Sequence, residues 1–421
     1  MFPALPRRAR WGLPAATLAL VAGMVGWMGA GPAGGRAAAG GGHSAARGPA
    51  ARQARAYPNP RAAPAPRHFF SAGWRPGMGG PAGLQYVGAH ACVACHTSYR
   101  TQFHTGMGHA SDLPAEAAIL EHHSDLAVTI AADVYRLRAK GSGPKAPWVY
   151  SVSRGGKTVS VPVTWAFGLG AAGQTYLYER DGAYHESRVS YFNRVGGLAT
   201  TMGYGPTPPG PLWDALGRRM APDEARACFV CHTTGSYLGG QFQPQRATSG
   251  VTCEECHGPG SAHVAAMRAH DFAGGFHIFN PGQLDANDLV DFCGSCHRTT
   301  MTVLAMGVTG TLDVRFQPYR LTLSQCWNPT DRRIACLACH NPHEPLVTAP
   351  AAYDHACLAC HVANGERVTA AIAHSHPGPA CPVGTHDCVT CHMPKVHLPG
   401  SHDVFTDHDI RIVKAGAPYP G

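Results

Sequence analysis

The pattern C-x-x-C-H occurs seven times in this chain of 421 residues: Cys92/Cys95/His96, Cys228/Cys231/His232, Cys253/Cys256/His257, Cys293/Cys296/His297, Cys336/Cys339/His340, Cys357/Cys360/His361 and Cys388/Cys391/His392. Successive first cysteines are 136, 25, 40, 43, 21 and 31 residues apart. The last five intervals are too short for separate domains with apolar cores of their own. Whatever the motifs bind must therefore supply much of the interior. They use fourteen of the sixteen cysteines and leave Cys326 and Cys381 over.

Three chemistries use two thiols and an imidazole at such close quarters. Zinc takes its ligands in sets of four and has no need of a histidine directly after the second cysteine. A redox-active C-x-x-C pair occurs singly, beside a βαβ pattern that is not seen here. Covalent haem c explains every position. Cysteines three apart share one side of a helical turn, so both sulfurs reach the two vinyl groups of one porphyrin. The adjacent histidine then lies beneath the iron as its proximal ligand. The fourteen motif cysteines are thus expected as thioether anchors for seven haems, and His96, His232, His257, His297, His340, His361 and His392 as proximal ligands.

The expected fold follows from this: mainly short α-helices and irregular chain wrapped round a haem core, in residues 84–421. The 51 glycines and 35 prolines argue for little regular structure. RMAPDEARACFVCH and LDANDLVDFCGSCH read as brief helices ending in a motif. The long first interval differs. Trp148, Tyr150 and Val152 alternate with polar neighbours, Arg154-Gly155-Gly156-Lys157 reads as a turn, and Val159, Val161 and Val163 alternate again. A second hairpin is expected from Tyr176 to Val189 around Asp181-Gly182, which makes residues 126–192 a small β-rich insertion. Gly168, Gly170 and Gly173 in GLGAAG imitate a dinucleotide fingerprint. That fingerprint needs a helix directly after it, whereas QTYLYERDG continues as a strand, so the glycines are expected at a bend.

Arg7, Arg8 and Arg10 precede an apolar stretch from Trp11 to about Ala30, the pattern of an export signal. Its length also suffices to span a bilayer, so residues 1–30 read either as a cleaved signal or as an uncleaved membrane anchor. Both place the mature chain outside the cytoplasm, at the periplasmic or extracellular face. Residues 31–83, rich in Gly, Ala, Pro and Arg, read as a disordered linker. Eleven arginines and no acid fall in residues 1–111, leaving 23 basic against 26 acidic residues in 112–421. The net charge of +8 therefore belongs to the leader and is no nucleic-acid footprint. An acidic folded part favours redox protein partners with a basic docking face.

Seventeen histidines lie outside the motifs and the linker, enough for a distal ligand at every iron. His263, six residues beyond His257, and His343 in CHNPHEPL cannot reach round to their own irons. They are expected at neighbouring irons, or else at the surface or on propionates. Met393, next to His392, is excluded as a ligand to its own iron by the same short arc. Cys326 and Cys381 either pair as a disulfide or remain structural thiols.

In chain order, YVGAHACVACHTSYRTQFHTGMGHA, FGLGAAGQTYLYERDGAYHESRVSYF, GVTCEECHGPGSAHV, NPGQLDANDLVDFCGSCH, VRFQPYRLTLSQCW, LACHNPHEPL, CVTCHMPK and HDVFTDHDI form a specific set. Together they resemble exported bacterial multihaem cytochromes c, often joined to tetratricopeptide repeats, whose haem region is similar to the cytochrome that accepts electrons from hydroxylamine oxidoreductase. The resemblance runs from about residue 85 to 412. It implies closely paired haems, mostly bis-histidine ligation and electron transfer. It also favours His402, His408 and either His122 or His123 as distal ligands, with His104 and Met107 behind them. This chain departs from the pattern in that no helical repeats follow HDVFTDHDI.

Electron carriage between redox partners is the leading expectation, because two imidazoles per iron leave no site for substrate. A multihaem oxidoreductase acting on a small nitrogen or sulfur compound needs an open iron under polar groups, for which Lys157, Tyr184, His185 and Arg188 are the candidates. A self-assembled extracellular filament is the third reading.

Overall fold

The computed structural model describes residues 74–79, 83–141, 143, 146–273, 275–361, 381–414 and 416–420. The expected signal or anchor, and the expected linker up to residue 73, lie outside them. Within the rest of that linker, residues 74–79 are held on the fold. The indole of Trp74 donates to Glu255 O (3.0 Å), and Gly77 N donates to the Glu255 carboxylate (2.8 Å). Among the described residues no helix is long and apolar enough to cross a membrane.

Ten strands occupy the first long interval: β1 (Ser111–Asp112), β2 (Asp125–Ile130), β3 (Asp133–Ala139), β4 (Trp148–Arg154), β5 (Lys157–Pro162), β6 (Trp165–Phe167), β7 (Gln174–Arg180), β8 (Ala183–Phe192), β9 (Gly197–Thr200) and β10 (Gly217–Arg219). β2–β5 form an antiparallel meander. The second sheet runs β1-β6-β7-β8-β10, with β9 also paired to β8. Alternation drives both. Trp148, Tyr150 and Val152 of β4 are buried, and Tyr150 pairs with Val161 of β5. The β4–β5 turn closes with Arg154 opposite Lys157, and the β7–β8 turn with Arg180 opposite Ala183. Tyr135, Leu137, Tyr150, Val152, Tyr176, Tyr178 and Val189 form one apolar cluster beneath the strands.

β-structure thus runs beyond residues 126–192, because the edges of the second sheet recruit β1 and β10. Ser111-Asp112 and Gly217-Arg218-Arg219 carry no apolar alternation; they pair through backbone with Phe167 and Ala166, and with Ser187, Glu186 and His185. The GLGAAG glycines make the bend between β6 and β7. Gly168 has φ 92°, and a Cβ there would come within 2.4 Å of Gly173 O, so only glycine fits.

Beyond β10 the chain consists of short helices, two-residue ladders and turns. The helix Pro222–His232 begins with proline at its first position, where the missing N–H costs nothing. The helix Ala286–His297 is capped by Asp285, whose carboxylate accepts from Asp288 N (2.8 Å). Apolar clusters here are small: Ala286, Leu289, Val290, Leu321 and Ala335 form one, Val303, Val308 and Phe316 another. Phe229, on the helix Pro222–His232, is fully buried against Trp165 and Phe167, with ring centres 5.2 Å from each, and joins the helices to the second sheet.

Candidate haem sites

Each motif is carried by a short helix. Those of the second, third, fourth and seventh, Pro222–His232, Cys253–His257, Ala286–His297 and Cys388–His392, run through the motif histidine. The helix Cys336–Cys339 stops one residue short of His340, while Ala89–Val93 and Asp354–Leu358 end inside the first and sixth motifs. At three motifs the histidine amide closes the turn onto the first cysteine's carbonyl: His96 on Cys92 (2.9 Å), His340 on Cys336 (3.0 Å) and His361 on Cys357 (2.9 Å). This local geometry puts two sulfurs and an imidazole on one face, as attachment of a single porphyrin requires.

Four of the expected anchors depart from the picture of cysteines on a helix within the interior, Cys339 among them because it is exposed at the end of its helix. Cys95 and Cys360 lie beyond the last helical residues, Val93 and Leu358, in tighter turns. There Cys95 N donates to Cys92 O (3.1 Å) and Cys360 N to Cys357 O (3.0 Å), three residues back rather than four. Cys391 is helical, but it and Cys95 are exposed, and Cys360 is half-buried. Cys92, Cys357 and Cys388 instead lie beside the thiol of a neighbouring motif. The Cys391 sulfur meets only the adjacent Thr390 hydroxyl, at 3.8 Å, among the hydrogen bonds of the described residues.

The imidazoles are oriented for metal binding. Nδ1 of His232 donates to Ala110 O (2.8 Å), that of His257 to Phe279 O (2.8 Å) and that of His392 to Arg411 O (3.0 Å). A carbonyl oxygen only accepts, so Nδ1 carries the proton and Nε2 keeps its lone pair. Backbone carbonyls behind ligating histidines fix ring and tautomer in this way. Burial holds His232, His257, His297 and His340 below the ordinary histidine pKa, in the neutral form that coordinates.

Three motif histidines each face a second imidazole. The ring centres of His96 and His263 are 6.1 Å apart at 26°, those of His257 and His343 6.1 Å apart at 13°, and those of His340 and His408 6.3 Å apart at 38°. Two imidazoles bound to one ion from opposite sides, with bonds of about 2.0 Å and roughly 1.2 Å from nitrogen to ring centre, stand about 6.4 Å apart. The gaps therefore fit an iron between the rings. Nδ1 of His263 donates to Phe276 O (2.6 Å) and that of His408 to Thr406 O (3.0 Å), which again frees Nε2. Burial pushes His408 down to about 4 and lowers His343, so both are neutral.

The other expected ligands face no motif histidine among the ring contacts of the described residues. His402 meets the edge of Phe192 (4.7 Å) and His123 lies against Tyr191 (5.2 Å). His122 and His123 each bond a carbonyl one turn back, of Ala118 and Ile119 (2.6 Å each). His104 ends the 3-10 helix Thr97–His104, and Met107 O accepts from Val251 N (2.8 Å). The residues considered for an open iron do not converge. Tyr184 packs on Phe229 (5.0 Å), while His185 stacks on Tyr178 (5.2 Å). Arg188 is buried and bonded to Gly205 O (2.5 Å), and Lys157 is exposed at the β4–β5 turn. No disulfide joins Cys326 and Cys381. Among the described residues no three His, Cys, Asp or Glu side chains converge as a metal cluster would.

Contacts between motifs order them in space. Hydrogen bonds join the thiols of Cys92 and Cys253, Cys231 and Cys296, Cys293 and Cys336, and Cys357 and Cys388. Cys256 lies within electrostatic reach of Cys293 and Cys296, and Cys339 within reach of Cys357. The sequence of neighbours is first, third, fourth, fifth, sixth and seventh motif, with the second beside the fourth.

Buried acids fix parts of this order, and sequence reasoning assigned them no role. Glu254 accepts from Val87, Gly88 and Gly260 N (2.8 Å each), which ties the first motif's approach to the third. Glu255 accepts from Gly77 N (2.8 Å) and Gly235 N (3.2 Å), yet burial pushes its carboxyl up to about 8. Asp354 accepts from Asp387 and Cys388 N (2.8 and 2.9 Å) and so joins the sixth and seventh motifs. Two acids between the cysteines of CEECH, in an acid-poor chain, were the available signal.

Residues 215–258, which carry the second and third motifs, match the family model described as cytochrome c554 and c-prime. The match spans about a tenth of the chain and supports a c-type cytochrome with covalently bound haem c in electron transfer. No curated protein and no solved structure matches the chain.

Proposed function

We propose that this protein is an exported seven-haem cytochrome c that passes electrons between redox partners, its fold wrapped round a haem core. The observation that carries this reading is the three facing imidazole pairs at 6.1–6.3 Å, each joining a C-x-x-C-H histidine to one remote in the chain. Bound haem supplies reversible one-electron oxidation and reduction. The two cysteines of each motif would anchor a haem, and at three motifs His263, His343 and His408 would supply the second imidazole. Carbonyls such as Ala110 O, Phe279 O and Arg411 O hold motif histidines in place. Charge then follows the order of the motifs, between the first and the seventh, with the second as a side branch at the fourth. The second cysteines of the first, fifth and seventh motifs, Cys95, Cys339 and Cys391, are exposed, and haems anchored there would be open to a partner. The acidic balance of residues 112–421 suits partners with a basic docking face.

Pyridine haemochrome analysis of the purified full chain, combined with carbon monoxide titration of the reduced protein, tests this. Seven haems per chain and no shift on carbon monoxide are expected. A ratio well below seven, or a clear shift in a seventh of the signal or more, overturns the seven-haem carrier.

A further inference from the structure

The tail segment that carries His408 is held by one buried arginine. Arg320, in the helix Gln317–Thr322, has a side chain only 1% exposed. Its guanidinium takes Asp407 side-on, Nε to Oδ1 at 2.9 Å and Nη2 to Oδ2 at 3.1 Å, and Nη2 also reaches Asp409 Oδ2 at 3.3 Å. Nη1 donates to Pro420 O (3.2 Å) and lies 3.4 Å from Asp313, while the Tyr419 ring covers the guanidinium carbon at 4.6 Å. Such a planar fork satisfies two carboxylates at once, as an ammonium group cannot.

His408 lies between the two gripped acids and faces His340 instead. Asp409 N also donates to Asp407 Oδ1 (3.1 Å), so fixing the two acids on Arg320 fixes the turn of backbone that carries His408 between them. Ser324 adds a second hold from the same region: its hydroxyl donates to His408 O (3.0 Å) and accepts from Ile410 N (2.8 Å). Arg411 extends the clasp by donating to Asp407 Oδ2 (2.6 Å) and Asp409 O (2.7 Å) while its own carbonyl receives His392 Nδ1 (3.0 Å).

We propose that Arg320 is a positioning residue that aims His408 at the iron opposite His340, through the clasp it forms with Asp407 and Asp409. The proposal rests on the paired-imidazole reading above. Its function is to hold in place a local turn whose ligand comes from 68 residues beyond His340.

The test uses the full, haem-loaded chain in three variants: Arg320→Lys, Asp409→Asn and, as the ligand control, His408→Ala. Haem content, spin state by electron paramagnetic resonance, and carbon monoxide binding are read for each. Arg320→Lys and Asp409→Asn are expected to keep every haem attached. Each should turn one low-spin iron into a high-spin, carbon monoxide-binding one, and free imidazole should restore the low-spin form. His408→Ala should give the same signature. If His408→Ala opens one iron while the other two variants leave all irons low-spin, the positioning role falls and the ligation stands. If His408→Ala itself changes nothing, the ligation falls and the positioning role with it. Should Arg320→Lys fail to accumulate, Asp409→Asn alone decides. Opening of several irons together also overturns the proposal, because it marks general loosening.

Discussion

The two halves of this fold keep water out by different means. Between Ser111 and Arg219, antiparallel strands bury Tyr135, Leu137, Tyr150, Val152 and Tyr176 against one another, as an ordinary protein does. From the helix Pro222–His232 onward, the chain has five- and three-residue apolar clusters and leaves Leu304 62%, Leu346 68% and Met301 74% exposed. That second half also holds six of the seven motifs. In the proposed reading, bound haem would supply the interior that the side chains of this half do not. The β-region needs no such help.

Withholding haem attachment is the largest perturbation of this contrast. In full-length apoprotein, hydrogen exchange should find the amides of β3, β4, β7 and β8 still protected. Those of the helices Pro222–His232 and Ala286–His297 should exchange close to unfolded rates. Equal protection in both halves would mean that the small clusters suffice and the contrast is false.

Phe229 tests the seam. It is the residue of a motif helix that enters the sheet's side, packed by Trp165, Phe167, Tyr184 and Phe242. Phe229→Ala should cost about 3–5 kcal/mol, the usual range for an emptied aromatic site, seen as a lower denaturation midpoint. Because Cys228 and Cys231 share its helix, the haem spectrum should change in the same transition. Loss of stability with no spectral change would show two independently folding halves.

How far the sequence shows this arrangement depends on how local each feature is. The two hairpins and the helices before Cys228 and Cys293 are written in residues a turn or two apart, in alternation, in Pro222 and in Asp285. The edge strands β1 and β10 are not, since their residues pair only because a neighbouring edge is exposed. The same division holds at the sites. The C-x-x-C-H spacing is local and legible. Which of its sulfurs reach the surface is not: Cys95, Cys339 and Cys391 are exposed. That His263 and His343 cannot face the histidines six and three positions before them is a matter of chain length. That His263 stands opposite His96 depends on Glu254 drawing Val87 and Gly88 to the third motif, a contact across 167 and 166 residues. The Arg320 clasp spans 87 residues to Asp407. Its only local trace is the spacing of Asp407 and Asp409 about His408.

The smallest effect concerns charge within the self-sufficient half. Glu186 of β8 is buried beside Arg218, which lies 2.8 Å away and is shared with Glu224. Burial outweighs that arginine and pushes the Glu186 carboxyl up to about 7. A carboxyl whose pKa is higher folded than unfolded keeps its proton longer in the folded state. Its stabilising contribution is therefore complete below about pH 4.5 and is lost as the pH rises through about 7. Glu186→Gln removes this titration while leaving an amide oxygen for Arg218. The variant should denature at a higher temperature than the parent at pH 8, by a few degrees, and the difference should close towards pH 4.5. An identical pH profile in the two proteins would mean that the Arg218 ion pair, rather than burial, governs Glu186. The sheet would then tolerate charge in its interior much as the haem-binding half tolerates Asp407 beside Arg320.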